Sequence, residues 1–139
     1  MDGSNRMLAA AAAVAAVATA GSLYFSEVLG MIPCTLCWYQ RILMYPLVVV
    51  IGVAAADGRS DVWRTALPLS SLGVVVAGYH TYIQIAPSTG GTCSGAHGCT
   101  AILYPMLGGL LTIPRLSLVA FVLVTVLLAS LARRDVRSA

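Results

Sequence analysis

The sequence predicts an all-α integral membrane protein: a four-helix transmembrane bundle with both termini cytoplasmic and short outer loops carrying two cysteine pairs. Three observations predict it. Hydrophobic residues make up 59% of the 139 residues and charged residues 9%, against about 45–50% and 25% in soluble domains, and so short a chain has too little interior to hide the excess. Four apolar runs approach or exceed the roughly 20 residues that a bilayer crossing requires. Six of the eight basic residues, all arginine, gather at alternate junctions between those runs, whereas Arg41 lies inside the second run and Arg115 at the outer edge of the fourth.

The first run extends from Met7 to about Leu29, after a short polar start from Asp2 to Arg6. Its Ala18-Thr19-Ala20 triplet resembles a signal-peptide cleavage site. The run continues through Leu23, Tyr24 and Phe25, longer than a usual signal core, so the helix is expected to be retained. A proline suits the first helical position because it lacks an amide donor, so the second helix is expected to begin near Pro33. Its apolar stretch runs from Trp38 to Ala56 and is broken by Asp57-Gly58-Arg59-Ser60-Asp61. The third run, from about Thr65 to Ile85, contains Pro68, Gly73 and Gly78, which membrane helices tolerate. From Ala86 to about Thr112 the chain turns loop-like around Cys93 and Cys99, and its apolar piece Ala101 to Leu107 is too short to span. A last run from Pro114 to Leu131 ends at Arg133, Arg134 and Arg137. One domain over 1–139 results, with helices at about 7–29, 38–56, 65–85 and 114–131.

Arg6, Arg59, Arg64, Arg133, Arg134 and Arg137 all fall on one side of this four-span arrangement. The preference of cytoplasmic loops for arginine then puts both termini inside the cell. Cys34, Cys37, Cys93 and Cys99 consequently face outwards, where disulfides persist.

The chemistry concentrates in Pro33-Cys34-Thr35-Leu36-Cys37-Trp38-Tyr39-Gln40-Arg41. In a helix starting at Pro33, Cys34, Cys37 and Arg41 share one stripe of the surface. The free amides at a helix N-terminus favour a thiolate, and Cys-x-x-Cys thiols there are nucleophiles and good leaving groups. The same pair also suits a static staple or a metal site. Arg41, one turn inside an apolar run, needs a partner or a route to the interface. On the third run His80 and Gln84 are expected at a similar depth, and three polar groups beside a dithiol suggest a site for the polar head of a membrane-soluble molecule. Nothing in the chain suggests a nucleic-acid module.

The sequence resembles the DsbB/BdbC disulfide bond formation proteins. The residues that carry the resemblance are Leu23-Tyr24-Phe25, Pro33-Cys34-Thr35-Leu36-Cys37, Tyr39-Gln40-Arg41, His80-Thr81-Tyr82-Ile83-Gln84 and Leu111-Thr112-Ile113-Pro114, in the family's order over nearly the whole chain. The Trp38-Tyr39-Gln40-Arg41 continuation and short length are closer to the BdbC branch. The pair in Cys93-Ser94-Gly95-Ala96-His97-Gly98-Cys99 is much tighter than in DsbB. The resemblance implies a thiol:quinone oxidoreductase of the bacterial cytoplasmic membrane that reoxidises a secreted thioredoxin-fold thiol oxidase of the DsbA/BdbD type, with ubiquinone or menaquinone as cofactor. It further implies that Cys37 meets the quinone, that Cys34 exchanges with the second pair, and that the partner attacks Cys93, leaving Cys99 to attack Cys34. Arg41, His80 and Gln84 become the quinone-binding residues, and no metal is expected.

Two other readings remain. A quinone reductase of the vitamin K epoxide reductase type shares the chemistry but places its Cys-x-x-Cys in a different helix order. A non-enzymatic membrane protein would hold static disulfides or a metal, for which Cys93, His97 and Cys99 supply three of the four ligands that zinc prefers.

Overall fold

A backbone crossing an apolar medium must satisfy its amides and carbonyls within its own segment, and all four runs accordingly fold as helices. The computed structural model describes residues 2–86, 99–100, 102 and 105–139. Its long helices are α1 (Gly3–Leu23), α2 (Thr35–Asp57), α3 (Trp63–Ile85) and α4 (Ile113–Ser138). Each is long and apolar enough to cross a membrane. They form a ring in which each helix packs on its chain neighbours, α4 closes onto α1, and the diagonal pairs barely touch.

Several boundaries differ from the sequence expectation. α1 starts at Gly3, and its α-winding stops at Leu23, where Tyr24–Val28 continues as a wider π-turn. α4 runs on through the three terminal arginines to Ser138. The change that matters most is at α2, which begins at Thr35 and not at Pro33. Cys34 is its N-cap, with extended backbone (φ −74°, ψ 173°), and its sulfur accepts the Cys37 amide at 3.4 Å. A start at Pro33 would leave Ile32, which has no acceptor side chain, to cap the helix, whereas Cys34 satisfies one of the orphan amides. Cys34 therefore leaves the stripe that the sequence reading assigned to Cys34, Cys37 and Arg41 together. Of the expected apolar piece Ala101 to Leu107, residues 101, 103 and 104 lie outside the described residues. After it, Leu107–Gly109 makes a 3₁₀ turn whose Gly108 (φ +67°) and Gly109 (φ +91°) adopt left-handed backbone that favours glycine.

The core is built largely of small and branched residues: Leu8, Ala11 and Ala15 from α1, Leu47 and Ile51 from α2, Ala66 and Ala77 from α3, and Phe121, Val124, Leu128 and Leu131 from α4. Phe121 is fully buried, and its ring fills the space that a side chain at Gly73 would need. Between α3 and α4 the Thr125 hydroxyl donates to the Phe121 carbonyl at 2.7 Å, and its oxygen lies 3.0 Å from Ser70 Oγ. On the outside, Val17, Ile42, Val75, Val119 and Val126 remain exposed. Helices apolar on every face require an apolar surround, which a bilayer supplies.

The two ends of the bundle differ in chemistry. At one end Asp135 accepts from Trp63 Nε1 at 3.1 Å and from Ser60 at 3.4 Å, and Gly3 lies against Arg134. Both chain ends and the α2–α3 turn therefore meet there, with six of the arginines. Cys34, Cys37 and Cys99 lie at the opposite end.

Gly73→Ala is expected to drive a methyl into the Phe121 ring, at the about 1–3 kcal/mol typical of overpacking. Thermal unfolding in detergent reads this as a lowered midpoint that Phe121→Leu in the same chain partly restores. An unchanged midpoint for Gly73→Ala would show that the ring is free to move aside.

Candidate functional site

The start of α2 sets the chemistry. Cys34 and Cys37 are both free thiols, with their sulfurs 3.0 Å apart. Cys34 lies just outside the spanning segment, and its thiol is pulled down from 9.0 to about 4. The hydrogen bond from Cys37 is the main cause. Burial opposes it, and the His80 ring and the Cys37 amide add to the lowering. A thiolate at Cys34 is thus held by three donors before any external group arrives.

The two sulfurs face different surroundings. Cys37 lines a cleft of about 570 Å³ between α1, α2 and α4, whose walls are mostly apolar: Val14, Val17 and Ala18 from α1, Met44 from α2, Leu116 and Leu123 from α4. The cleft also takes in Ser22, Gln40, Arg41 and Tyr45. Arg41 Nη2 donates to the Ser22 carbonyl at 3.1 Å, and the guanidinium lies 5.3 Å from the centre of the Trp38 ring. Ser26 Oγ donates to the same Ser22 carbonyl at 3.3 Å, at the point where α1 passes into its π-turn. Among the described residues the one ion pair is Arg59 with Asp57, at the other end of α2, so the Arg41 charge is held by a carbonyl and an aromatic face, not by a carboxylate.

Cys34 turns the other way. It packs with Ile83 of α3 and with Cys99. His80, 2% exposed, joins these groups: its Nε2 lies 3.1 Å from the Cys99 carbonyl and 3.8 Å from Cys34 Sγ, and its Nδ1 lies 2.9 Å from Gln40 Nε2. A carbonyl only accepts, so in the neutral ring Nε2 carries the proton and Nδ1 accepts from the Gln40 amide. The proton that faces Cys99 therefore also faces the Cys34 sulfur. Cys99 is itself disulfide-bonded and buried. Cys93 and His97 lie outside the described residues.

The structure brings Cys34, Cys37, His80 and Cys99 to one place, with Arg41 one turn further along α2. His80 and Gln84 are not on the cleft lining. His80 sits behind Cys34, and Gln84 accepts from Thr112 Oγ1 at 3.0 Å where α3 meets the start of α4. Gln40 is the group that sequence reasoning did not single out. It is 6% exposed, lines the cleft with one face and bonds His80 with the other. A second polar residue beside Arg41 in an apolar run was its signal, since a buried amide in lipid requires partners. Ser22 gave no such signal, because the feature that matters is its backbone carbonyl.

The arrangement connects two compartments through two adjacent sulfurs, one facing an apolar cleft with a single cation and the other facing a second, disulfide-bonded cysteine. The first pair can exchange electrons with the disulfide at Cys99 by thiol–disulfide exchange, which requires a thiolate, a reachable disulfide sulfur and a stable leaving group.

The chain matches the family described as "Disulfide bond formation protein DsbB" over residues 4–131. It is 42% identical over 126 residues to a "Probable disulfide formation protein" of Oceanobacillus iheyensis, covering 88% of this chain and 86% of that one. It is 42% identical over 120 residues to "Disulfide bond formation protein C" of Bacillus subtilis, covering 85% and 86%. A "Probable disulfide formation protein" of Deinococcus radiodurans is 41% identical over 126 residues, covering 84% and 82%. No solved structure matches.

The Cys34 thiolate gives a testable pH dependence. Its folded value lies below the unfolded one, so the stability it contributes is full above about pH 9 and is lost as the pH falls through about 4. With the Cys34–Cys37 pair reduced, the ultraviolet thiolate absorbance is expected to persist to below pH 5 and to disappear near pH 4. Replacing Cys37 by alanine removes the leading donor, and the midpoint should then rise; a midpoint that stays put would assign the effect to another group.

Proposed function

The chain belongs to the DsbB family of disulfide bond formation proteins, and on that premise we propose that it is a thiol:quinone oxidoreductase which reoxidises an extracytoplasmic thioredoxin-fold thiol oxidase. The observation that carries this reading is the division of the first pair: Cys37 opens on the cleft beside Arg41, while Cys34 adjoins Cys99 and His80.

A quinone fits the cleft. An apolar volume of about 570 Å³ lies within the size range of small-molecule pockets, and its polar groups, Arg41, Gln40 and the Cys37 sulfur, suit a head carrying two carbonyls. When bound, a quinone supplies the acceptor for two electrons and two protons. Arg41 fixes the orientation of that head and favours negative charge developing on an oxygen beside it, an electrostatic effect strengthened where water is excluded. The Ser22 carbonyl and the Trp38 ring hold the guanidinium in position for this role.

The chain's own relay balances in thiols. A thiolate of the partner attacks Cys93 of the Cys93–Cys99 disulfide, and the second partner thiol closes the partner's disulfide, leaving Cys93 and Cys99 reduced. Cys99 attacks Cys34 of the oxidised first pair, and Cys37 departs as a thiolate into the cleft. Cys93 then attacks Cys99, which restores the second disulfide and leaves Cys34 reduced. The two electrons now rest on Cys34 and Cys37. His80, donating from Nε2 to the Cys99 carbonyl, holds the second pair against Cys34, and the same proton lies beside the sulfur that takes up charge. Gln40 keeps the ring in this tautomer. The arginine-rich end lies in the cytoplasm and the cysteine end outside, where a secreted partner reaches it.

Arg41→Ala is expected to lower reduction of a soluble quinone by about 10²-fold, the loss typical of removing one stabilising donor. Exchange between the second pair and a reduced thioredoxin-like dithiol should continue near its original rate. If quinone reduction and exchange fell together, the variant would have collapsed the site and Arg41 would have no separate role. A protein whose cysteines all resist the dithiol would return the static-disulfide reading.

A further inference from the structure

The Cys34, Cys37 and His80 cluster has a property that electron relay does not use. The two sulfurs and a His80 ring nitrogen all lie within 4.8 Å of one another. We propose that, with the pair reduced, these residues form a binding site for a thiophilic divalent cation of the zinc class, one that restrains oxidation of the pair.

The geometry requires little change. Bond lengths of about 2.3 Å to sulfur and about 2.0 Å to nitrogen, at tetrahedral angles, place two sulfurs about 3.8 Å apart and sulfur and nitrogen about 3.5 Å apart. Here the sulfurs are 3.0 Å apart and Cys34 Sγ is 3.8 Å from Nε2. The sulfurs need to part by less than about 1 Å, and the Cys37 sulfur, within 4.8 Å of the His80 nitrogen, needs to come to about 3.5 Å from it. Zinc sites with three protein ligands complete their coordination with water or a small external ligand.

Charge favours a divalent ion. Two thiolates and a neutral imidazole around a dication make a neutral centre, which avoids the penalty of leaving a net charge at the apolar edge of α2. A monovalent ion on the same ligands leaves a net negative charge. Starting from the Cys34 thiolate and the Cys37 thiol, binding releases one proton to solvent, and no electron moves. His80 gives up its Nε2 proton and its bond to the Cys99 carbonyl, and takes a proton on Nδ1. Gln40 is already 2.9 Å from Nδ1, and turning its amide presents Oε1 as the acceptor that metal-bound histidines usually have on their second nitrogen.

Occupancy depends on redox state. A Cys34–Cys37 disulfide offers no thiolates, so only the reduced pair binds, and a bound ion ties up both sulfurs that must give their electrons away. The site itself depends only on the reduced pair and not on what accepts its electrons, so its failure and that of the quinone reading are separable.

Full-length protein in detergent, carrying Cys93→Ala and Cys99→Ala so that only the first pair can bind, is reduced and titrated with zinc against a chromogenic chelator. One zinc per chain is expected, none after the pair is oxidised, and at least tenfold weaker binding in His80→Ala. Cobalt replaces zinc as a second readout, with sulfur-to-cobalt charge-transfer bands expected at the intensity of two thiolates and tetrahedral visible absorption that changes in His80→Gln, which keeps the side-chain volume. Helix content by circular dichroism identifies variants that have unfolded. A helical, reduced protein that takes up no zinc would overturn the site, as would cobalt spectra identical with and without His80. Zinc binding to the reduced pair alongside normal quinone turnover of the protein with all four cysteines at saturating zinc would remove the restraint on oxidation.

Discussion

The sulfur of Cys34 closing the first turn of α2 is the contact on which the rest of the site depends. A helix start leaves amides without partners, and in most helices an oxygen side chain takes one of them. Here the acceptor is a cysteine, so the residue that begins the helix is also the reactive one. The same amide that completes the helix stabilises a thiolate. Because Cys34 is the cap and Cys37 lies within the first turn, the two sulfurs stay 3.0 Å apart while facing different neighbours. An unbroken helix through both would have turned them to one face.

Around this point the bundle divides its polar groups economically. A membrane interior tolerates an arginine, a glutamine and a histidine only where each has partners. Arg41 reaches across to the Ser22 carbonyl of α1, and Gln40, the next residue back, reaches the opposite way to His80 of α3. Adjacent residues on a helix point about 100° apart, so one dipeptide serves both compartments. The π-turn at the end of α1 lies at this junction, consistent with the tendency of such turns to mark functional positions.

His80 is the group that changes most between the sequence reading and the folded protein. The sequence alone places it at the depth of Arg41 as part of a head-group site. It lies instead behind Cys34, with Cys99 on one ring nitrogen and Gln40 on the other. In the proposed relay it is therefore a positioning group for exchange at the junction between the two cysteine pairs. Gln84, bonded to Thr112, ties the end of α3 to the approach to α4.

Four long helices, their order and the segregation of arginine were legible in the sequence, because lipid imposes one rule on every residue of a span: apolar side chains and internally bonded backbone. The reactive pair and Arg41 were legible for a related reason, since cysteine and arginine at the edge of an apolar run have few structural roles. Which way each side chain turns was not legible. Depth along a helix follows from counting at 1.5 Å per residue, and so Arg41, His80 and Gln84 could be placed at similar levels from sequence. Azimuth depends on where the helix begins and on which neighbour each face meets. A two-residue shift of the α2 start, decided by a sulfur–amide bond, moved Cys34 off the stripe with Arg41, and the closure of α4 onto α1 placed the cleft on the side away from α3. The sequence by itself determined the bundle, its Cys-x-x-Cys pair and the arginine one turn beyond it; only the tertiary structure decided that one sulfur faces the cleft and the other faces His80 and Cys99, because the ring of helices, not the local pattern, sets what lies opposite each face.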